Sequence, residues 1–407
     1  MNALRPETWP FPLHWLPETA CVVGGSVRDA LLDRPLDYLD IDFVLPQNAI
    51  ETAKTIAKRA KAGFVVLDAK RQIARVVFAN ATADFARQDG KTLEADLRRR
   101  DFTINAIAYQ PRTGRRIDPL GGVADLDRRL LRMVSPENLR DDPLRLLRAY
   151  RQAAQLHFTI DSETRSTIRE LAAQLGTVAA ERVKAEFGHL FASSAGSLEL
   201  RRAEEDGILS VWFPNATPEK VEQLAAIDVA ATLLAQLRPD VKNCLHQPLR
   251  PTLKTTAIAL AKIAALLPEY LDNAEAQLQP LKYSRVETKG VLTILQQFAA
   301  IDSLETTRDR YFWFKGTGEF IPALAVFALA KETPVDRVLE WIDRDTNPRD
   351  PLAHPDSFID GKMLMALGVD KGPKIGNLLT EIEIAVAEGT VKNREEAIAF
   401  VNEKIDR

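Results

Sequence analysis

GGSVRDALLDRPLDYLDIDFVLP, residues 24–46, decides the fold. An apolar run at 20–23 ends at the pair Gly24-Gly25, a short helical stretch follows through Leu32, and a second strand-like run occupies 41–45. Side chains alternate across a strand, so Asp40 and Asp42 share one face while Ile41 turns to the other. Two carboxylates converging on one point are costly unless a cation neutralises them, and Mg²⁺ takes one or two carboxylates together with substrate phosphates. A phosphate needs close backbone approach and N–H donors, which Gly24, Gly25 and the following helix start can offer, and Arg28 lies one helical turn past the glycines as a clamp. Each piece alone also occurs as a turn with scattered aspartates. In this order and spacing they point to phosphoryl transfer with two Mg²⁺ ions bound by Asp40 and Asp42, one ion activating the attacking hydroxyl and one on the leaving group.

Further strand-like runs lie at 63–67, 74–78 and 83–86, with a helix expected at 49–61. Asp84 alternates within the last of these runs and is a candidate third catalytic carboxylate, with a solvated strand aspartate as the alternative. After residues 118–122 apolar residues recur at helical spacing and strand signals become scarce. The sequence thus predicts an α+β chain: a small mixed-sheet head followed by an all-α remainder, with breaks at 214–218 and 347–355.

The chain has 407 residues, 46% hydrophobic and 27% charged, as expected of a soluble globular protein with more than one module. Two cysteines, Cys21 and Cys244, exclude a disulfide framework and supply no zinc cluster, so a reducing cytoplasm is expected. No signal peptide and no apolar run long enough to span a membrane is found, and no membrane partner is expected. The net charge of −3 does not mark a nucleic-acid binder. Residues 98–151 do: they hold thirteen arginines and no lysine against seven carboxylates. Arginine favours planar, bidentate recognition of phosphates and base edges, although a salt-bridged helix surface has the same composition.

Within this stretch Arg99, Arg100, Asp101 and Asn105 could hold triphosphate oxygens and ribose hydroxyls; a charged helix surface is the alternative. Asp142 and Arg145, at i and i+3 of an expected helix start, could read the Watson–Crick edge of a base without a template. An ordinary helix ion pair has the same spacing.

Together these motifs resemble the class II tRNA nucleotidyltransferases, bacterial CCA-adding, CC-adding, A-adding and poly(A) polymerase enzymes of the polymerase-beta-like superfamily. The resemblance is close over about 20–190. It rests on Gly24, Gly25, Arg28, Asp29, Asp40 and Asp42; on RRDFTINA from Arg99; on Gly121-Gly122-Val123-Ala124-Asp125-Leu126; on Asp141, Asp142 and Arg145; and on Glu181-Arg182 with Glu186. It implies a seahorse arrangement of catalytic head (1–130), base-recognising neck (131–200), body (201–346) and tRNA-binding tail (347–407). Arg148 and Arg151 join the nucleotide-binding set, and Lys371, Lys374 and Gly376 in the tail would meet tRNA phosphates. The implied partners are tRNA and CTP, with ATP as an alternative substrate. Nothing is carried over for 200–345.

Two departures stand out. Asp141 replaces the family's usual glutamate. The connection between Asp84 and the second motif is short, where CCA-adding relatives hold a longer flexible loop needed to switch from C to A. That length favours CC addition. A His-Asp phosphohydrolase pair is missing, so phosphatase activity is not expected. The alternatives are A addition, full CCA addition or poly(A) synthesis; a non-catalytic RNA-binding homologue, disfavoured by Asp40 and Asp42 beside Arg28; and a small-molecule nucleotidyltransferase, which would not need the arginine-rich stretch and long helical part.

Overall fold

The computed structural model describes residues 3–34, 38–193 and 195–405. Two compact units are formed, Met1–Val178 with Glu205–Val211, and Ala179–Glu204 with Trp212–Arg407.

The first unit holds a seven-stranded sheet and, where only helix was expected, a short parallel pairing of Leu130–Leu131 with Thr159–Ile160. In chain order it comprises β1 (Cys21–Val23), α1 (Gly25–Leu31), β2 (Leu39–Leu45), α2 (Ala49–Ala60), β3 (Gly63–Asp68), β4 (Ile73–Val77), β5 (Ala81–Arg87), α3 (Leu93–Leu97), β6 (Ala108–Gln110), β7 (Arg115–Ile117) and α4 (Gly122–Asp127). The spatial order is β3-β4-β5-β2-β1-β6-β7. Only β2 and β5 run parallel within the seven-stranded sheet; the other pairs are antiparallel. The expected mixed-sheet head is therefore present. Strands β6 and β7 carry no strand signal in the sequence: each is three residues, AYQ and RRI, and β6 forms on the β1 edge while β7 pairs with β6.

On β2, Leu39, Ile41 and Phe43 are fully buried, while Asp40 is exposed and Asp42 half-buried. The buried face stacks Phe43 on Phe85 at 5.0 Å, with Trp9 and Phe11 packed against Phe43. The opposite face, which carries the aspartates, is closed at its far end by a cluster of Cys21, Val23, Val44, Leu97, Ala106 and Ala108. Beyond the sheet come α5 (Pro136–Asp141), α6 (Leu144–Leu156) and α7 (Ser162–Leu171). Helix α6 is anchored by the returning segment 205–211. There the buried Asp206 carboxylate accepts from the Tyr150 hydroxyl at 2.7 Å and from Nε of Arg165 and of Arg169, each at 2.6 Å.

The second unit is helical, as expected, with one isolated bridge between Pro248 and Thr256. Its centre is the helix Ala257–Leu266, buried at every residue. The last segment has its own core around Leu364, Ile382, Ala397 and Val401. Among the described residues no helix is long and apolar enough to cross a membrane, and both cysteines are unpaired.

Gly122 opens α4 where a Cβ would stand 2.2 Å from the Thr103 carbonyl oxygen, a backbone atom that cannot step aside cheaply. Gly122→Ala is expected to destabilise the protein by about 1–3 kcal/mol through overpacking, measured by denaturant unfolding; unchanged stability would mean that the contact yields freely.

Candidate active site

The parallel register sets Asp40 opposite Thr82 and Asp42 opposite Asp84. All four project to the same face of the sheet. The Thr82 hydroxyl donates to Asp40 Oδ1 at 2.5 Å. Ser26, on α1, accepts the Asp42 backbone N–H at 2.9 Å and donates to Asp42 Oδ2 at 3.3 Å. Burial, then the charges of Asp40 and Asp84, push the Asp42 carboxyl up to about 6, against the lowering effect of Arg100 and the Ser26 hydrogen bond.

Asp84 is gripped bidentately by Arg75 of β4, at 2.7 and 2.8 Å. That hydrogen bond raises the Arg75 pKa further. Asp84 is therefore beside the pair and ion-paired from its other side, while its charge still acts on Asp42. Among the described residues no group of three or more His, Cys, Asp or Glu forms a metal cage. What remains is a pair of carboxylates on one strand face whose mutual repulsion a cation would relieve, a donor set that suits Mg²⁺ completed by phosphate oxygens.

Gly24 has φ +74°, and a Cβ there would lie 2.9 Å from Arg100 Nη1 and 3.7 Å from Asp42 Oδ2. The glycine thus permits both the turn into α1 and the approach of Arg100 to the carboxylates. Arg100 pairs with Asp96 at 3.1 Å, and its buried Nε–H has no partner. Arg28 is placed differently from the expected clamp. It donates to both oxygens of Asp29 at 2.9 and 2.8 Å and to Asn105 Oδ1 at 2.8 Å, which leaves little of its donor set for a phosphate. The Asn105 amide is also committed, donating to Asp101 Oδ1 at 2.9 Å and Gln152 Oε1 at 3.0 Å. Burial alone would raise the Asp101 pKa, but Arg148, Asn105 and the Phe102 N–H hold it low. These three residues brace the site in this structure and are less open to ligand than their types suggested.

Asp142 and Arg145 are not on one helix. Asp141 ends α5, Asp142 is extended (φ −138°, ψ 91°), and α6 begins only at Leu144, because Pro143 cannot continue the hydrogen-bond ladder. The Arg145 N–H donates to the Asp142 carbonyl at 2.9 Å, so a tight turn keeps the two residues together. Burial lowers the Arg145 pKa, opposed by Asp101 and Asp142. Its Nη1 donates to the Asn138 carbonyl at 2.8 Å, while its buried Nε–H has no partner. Arg148 reaches Asp101 at 3.2 Å. Arg151 donates to Gln155 on its own helix at 2.6 Å, and the exposed Arg99 pairs with Asp89 on the surface. Lys371, Lys374 and Gly376 belong to the second unit, exposed around the start of the helix Pro373–Ala387.

Ser26, Thr82, Arg75 and Gln152 escaped sequence reading. Thr82 and Asp84 share the i, i+2 spacing of Asp40 and Asp42, a usable signal, and Gln152 shares a helix face with Arg145 and Arg148. Arg75 required the strand register.

A "Poly A polymerase head domain" model matches residues 20–132, and a "tRNA nucleotidyltransferase domain 2" model matches 252–401, a span that motif reading had largely passed over. A CC-adding tRNA nucleotidyltransferase of Synechocystis sp. is 49% identical over 97% of this chain and 95% of its own. An A-adding tRNA nucleotidyltransferase of Deinococcus radiodurans is 31% identical over 96% of each. The solved structure of a CCA-adding enzyme with ATP shares the fold, with TM-score 0.73 and 22% identity over 95% of this chain and 91% of that one.

An Asp42 pKa raised above its unfolded value means that the native state binds the extra proton more tightly between about pH 4 and pH 6 and loses stability as pH rises through that window. In chelator, Asp42→Asn should therefore melt above the wild type near neutral pH, the gap closing as pH is lowered through the window. MgCl₂ should raise the melting temperature of the wild type and not of the variant. Identical neutral-pH melting in chelator would remove the crowding argument.

Proposed function

The chain belongs to the tRNA nucleotidyltransferase and poly(A) polymerase family, and from that premise we propose that it adds two cytidines from CTP to the 3′ end of tRNA and then stops. The family's chemistry is nucleotidyl transfer, generally dependent on a divalent metal. In the proposed reaction the 3′-hydroxyl oxygen attacks the α-phosphate of CTP, and pyrophosphate leaves. Asp40 and Asp42 would hold two Mg²⁺ ions, which when bound supply activation of the hydroxyl and charge neutralisation on the leaving group. Thr82 and Ser26 orient these carboxylates. Arg100, adjacent to them with an unmatched N–H, is the phosphate-facing cation. Asp84, held by Arg75, adds negative potential beside Asp42 without needing to bind metal itself.

Arg145 and Asp142 would read cytosine from the α5–α6 turn, and the unpaired Nε–H of Arg145 is the donor waiting for an acceptor. We assign catalysis to residues 1–130, base recognition to 131–200 and tRNA contact to the tail at 347–407, with Lys371, Lys374 and Gly376 at phosphates. Two unpaired cysteines fit work in the cytoplasm.

The observation that carries CC addition is the connection between β5 and α3. Only residues 88–92 separate the two elements, and they are tied down. Gln88 N–H donates to the Leu45 carbonyl at 2.7 Å, Asp89 N–H to Asp96 at 2.8 Å, Asp89 pairs with Arg99, and Thr92 caps α3. Switching from cytosine to the larger adenine needs a mobile lever, and this segment has no slack to act as one. The greater identity to a CC-adding than to an A-adding relative agrees with it.

With tRNA ending at the discriminator base and both CTP and ATP supplied, product should accumulate at two added C; efficient A addition to tRNA already ending in CC would refute the reading. Asp40→Ala and Asp42→Ala should each lower the transfer rate by several powers of ten while gel-shift affinity for tRNA persists. Arg145→Ala should raise misincorporation by about one to two powers of ten, measured as the ratio of CTP to UTP and ATP use; equal losses for all three nucleotides would make it a phosphate or structural residue.

A further inference from the structure

We propose that Gln152 is a positioning residue that fixes the orientation of helix α6, which carries Arg145, relative to the bracing segment 101–105, and so contributes to nucleotide selectivity. The inference rests on the function proposed above and concerns a residue outside the motifs that identified the site.

Gln152 is 4% exposed, although it is polar and lies on the helix face shared with Arg145 and Arg148. Its Oε1 accepts from Asn105 Nδ2 at 3.0 Å and from Arg28 Nη1 at 3.5 Å. One turn earlier Arg148 donates to Asp101 Oδ2 at 3.2 Å, and Asn105 Nδ2 donates to Asp101 Oδ1 at 2.9 Å. The four side chains close a ring: Arg148 and Gln152 one turn apart on α6, Asp101 and Asn105 four residues apart on the facing segment. Arg28 joins it through Asn105 and hands the connection on to Asp29 on α1.

On the face toward residues 101–105, Arg148 alone would hold α6 at a single polar point, and Gln152 one turn on supplies the second, which fixes the angle of that face. Gln152 acts in both of its contacts as an acceptor. A side chain of similar size with no acceptor would fill the space, leave the buried Asn105 N–H short of one partner and release the second attachment. With that attachment lost, α6, still held through Tyr150 and Asp206, would present Arg145 to the incoming base over a wider range of angles. Discrimination between cytosine and uracil, which are alike in size and opposite in hydrogen-bond polarity at N3 and at the C4 substituent, would suffer first.

The test compares wild type, Gln152→Leu and Gln152→Glu. The readouts are kcat and KM for CTP and UTP on tRNA ending at the discriminator base, direct Mg²⁺-CTP and Mg²⁺-UTP binding, and thermal unfolding. Gln152→Leu should lose roughly ten-fold of its CTP over UTP preference, the size of one lost buried hydrogen bond, with the change carried mainly by KM and by the binding ratio. Gln152→Glu keeps the acceptor and should recover most of that preference. Wild-type selectivity in Gln152→Leu overturns the proposal, as does Gln152→Glu being as unselective as leucine, or a fall in kcat and melting temperature with the nucleotide ratio intact. If the wild type adds nothing to tRNA, the functional reading falls, and the CTP to UTP binding ratio still decides the role of Gln152.

Discussion

The parallel pairing of β2 with β5 is the constraint on which the rest of the first unit depends. Seven residue pairs lie in register from Leu39 and Ala81 to Leu45 and Arg87. Because side chains alternate, a slip of one position would exchange the carboxylate face for the apolar one along the whole strand. What fixes the register is the buried side: Ile41, Phe43, Ala83 and Phe85 are each at most 1% exposed, and the stacked rings are covered by Trp9 and Phe11. Apolar burial on one face thus holds like charges together on the other. At about 25 cal/mol per Å² of apolar area, burying two phenylalanines outweighs repulsion between partly solvated carboxylates.

Around that concentration of negative charge the arginines fall into two groups. Arg75 and Arg28 are paired within the protein, with Asp84 and with Asp29 and Asn105, and serve to hold other side chains. Arg100 and Arg145 each keep a buried Nε–H with no partner among the described residues. Unmatched donors inside a folded protein are costly. The Arg100 side chain passes Gly24 with its Nη1, and Arg145 follows the turn at Asp142, so both unmatched donors belong to arginines near the carboxylate face or the α5–α6 turn.

Much of this was legible in the chain. The glycine pair and the two aspartates fix strand, turn and strand by alternation alone, and β1, α1, β2 and α2 fall within a few residues of their expected places. What was hidden depends on pairing between distant segments. Strands β6 and β7, with AYQ and RRI, have no apolar alternation and exist because β1 offers an edge. Arg75 becomes meaningful only when β4 is laid beside β5, and Gln152 only when α6 meets Asn105. The break at Pro143 was visible as a residue type, yet an i, i+3 spacing was still read across it. Farther on, helices such as Ala257–Leu266 and Ile321–Ala330 are apolar on nearly every side, so they announce a core and carry no motif by which to know them.

The return of residues 205–211 to the first unit bears on how the protein is made. Unit one is not finished when residue 178 has emerged from the ribosome, because Tyr150, Arg165 and Arg169 still await the carboxylate of Asp206. The chain must lay down twenty-six residues of the second unit, Ala179–Glu204, before it supplies that partner. The two units are therefore interleaved in synthesis as well as in sequence. Gene fragments that end at the apparent boundary encode α7 without the buried counter-charge of its arginines and α6 without the acceptor of its Tyr150 hydroxyl, which limits how freely this unit could be exchanged between proteins by simple fusion.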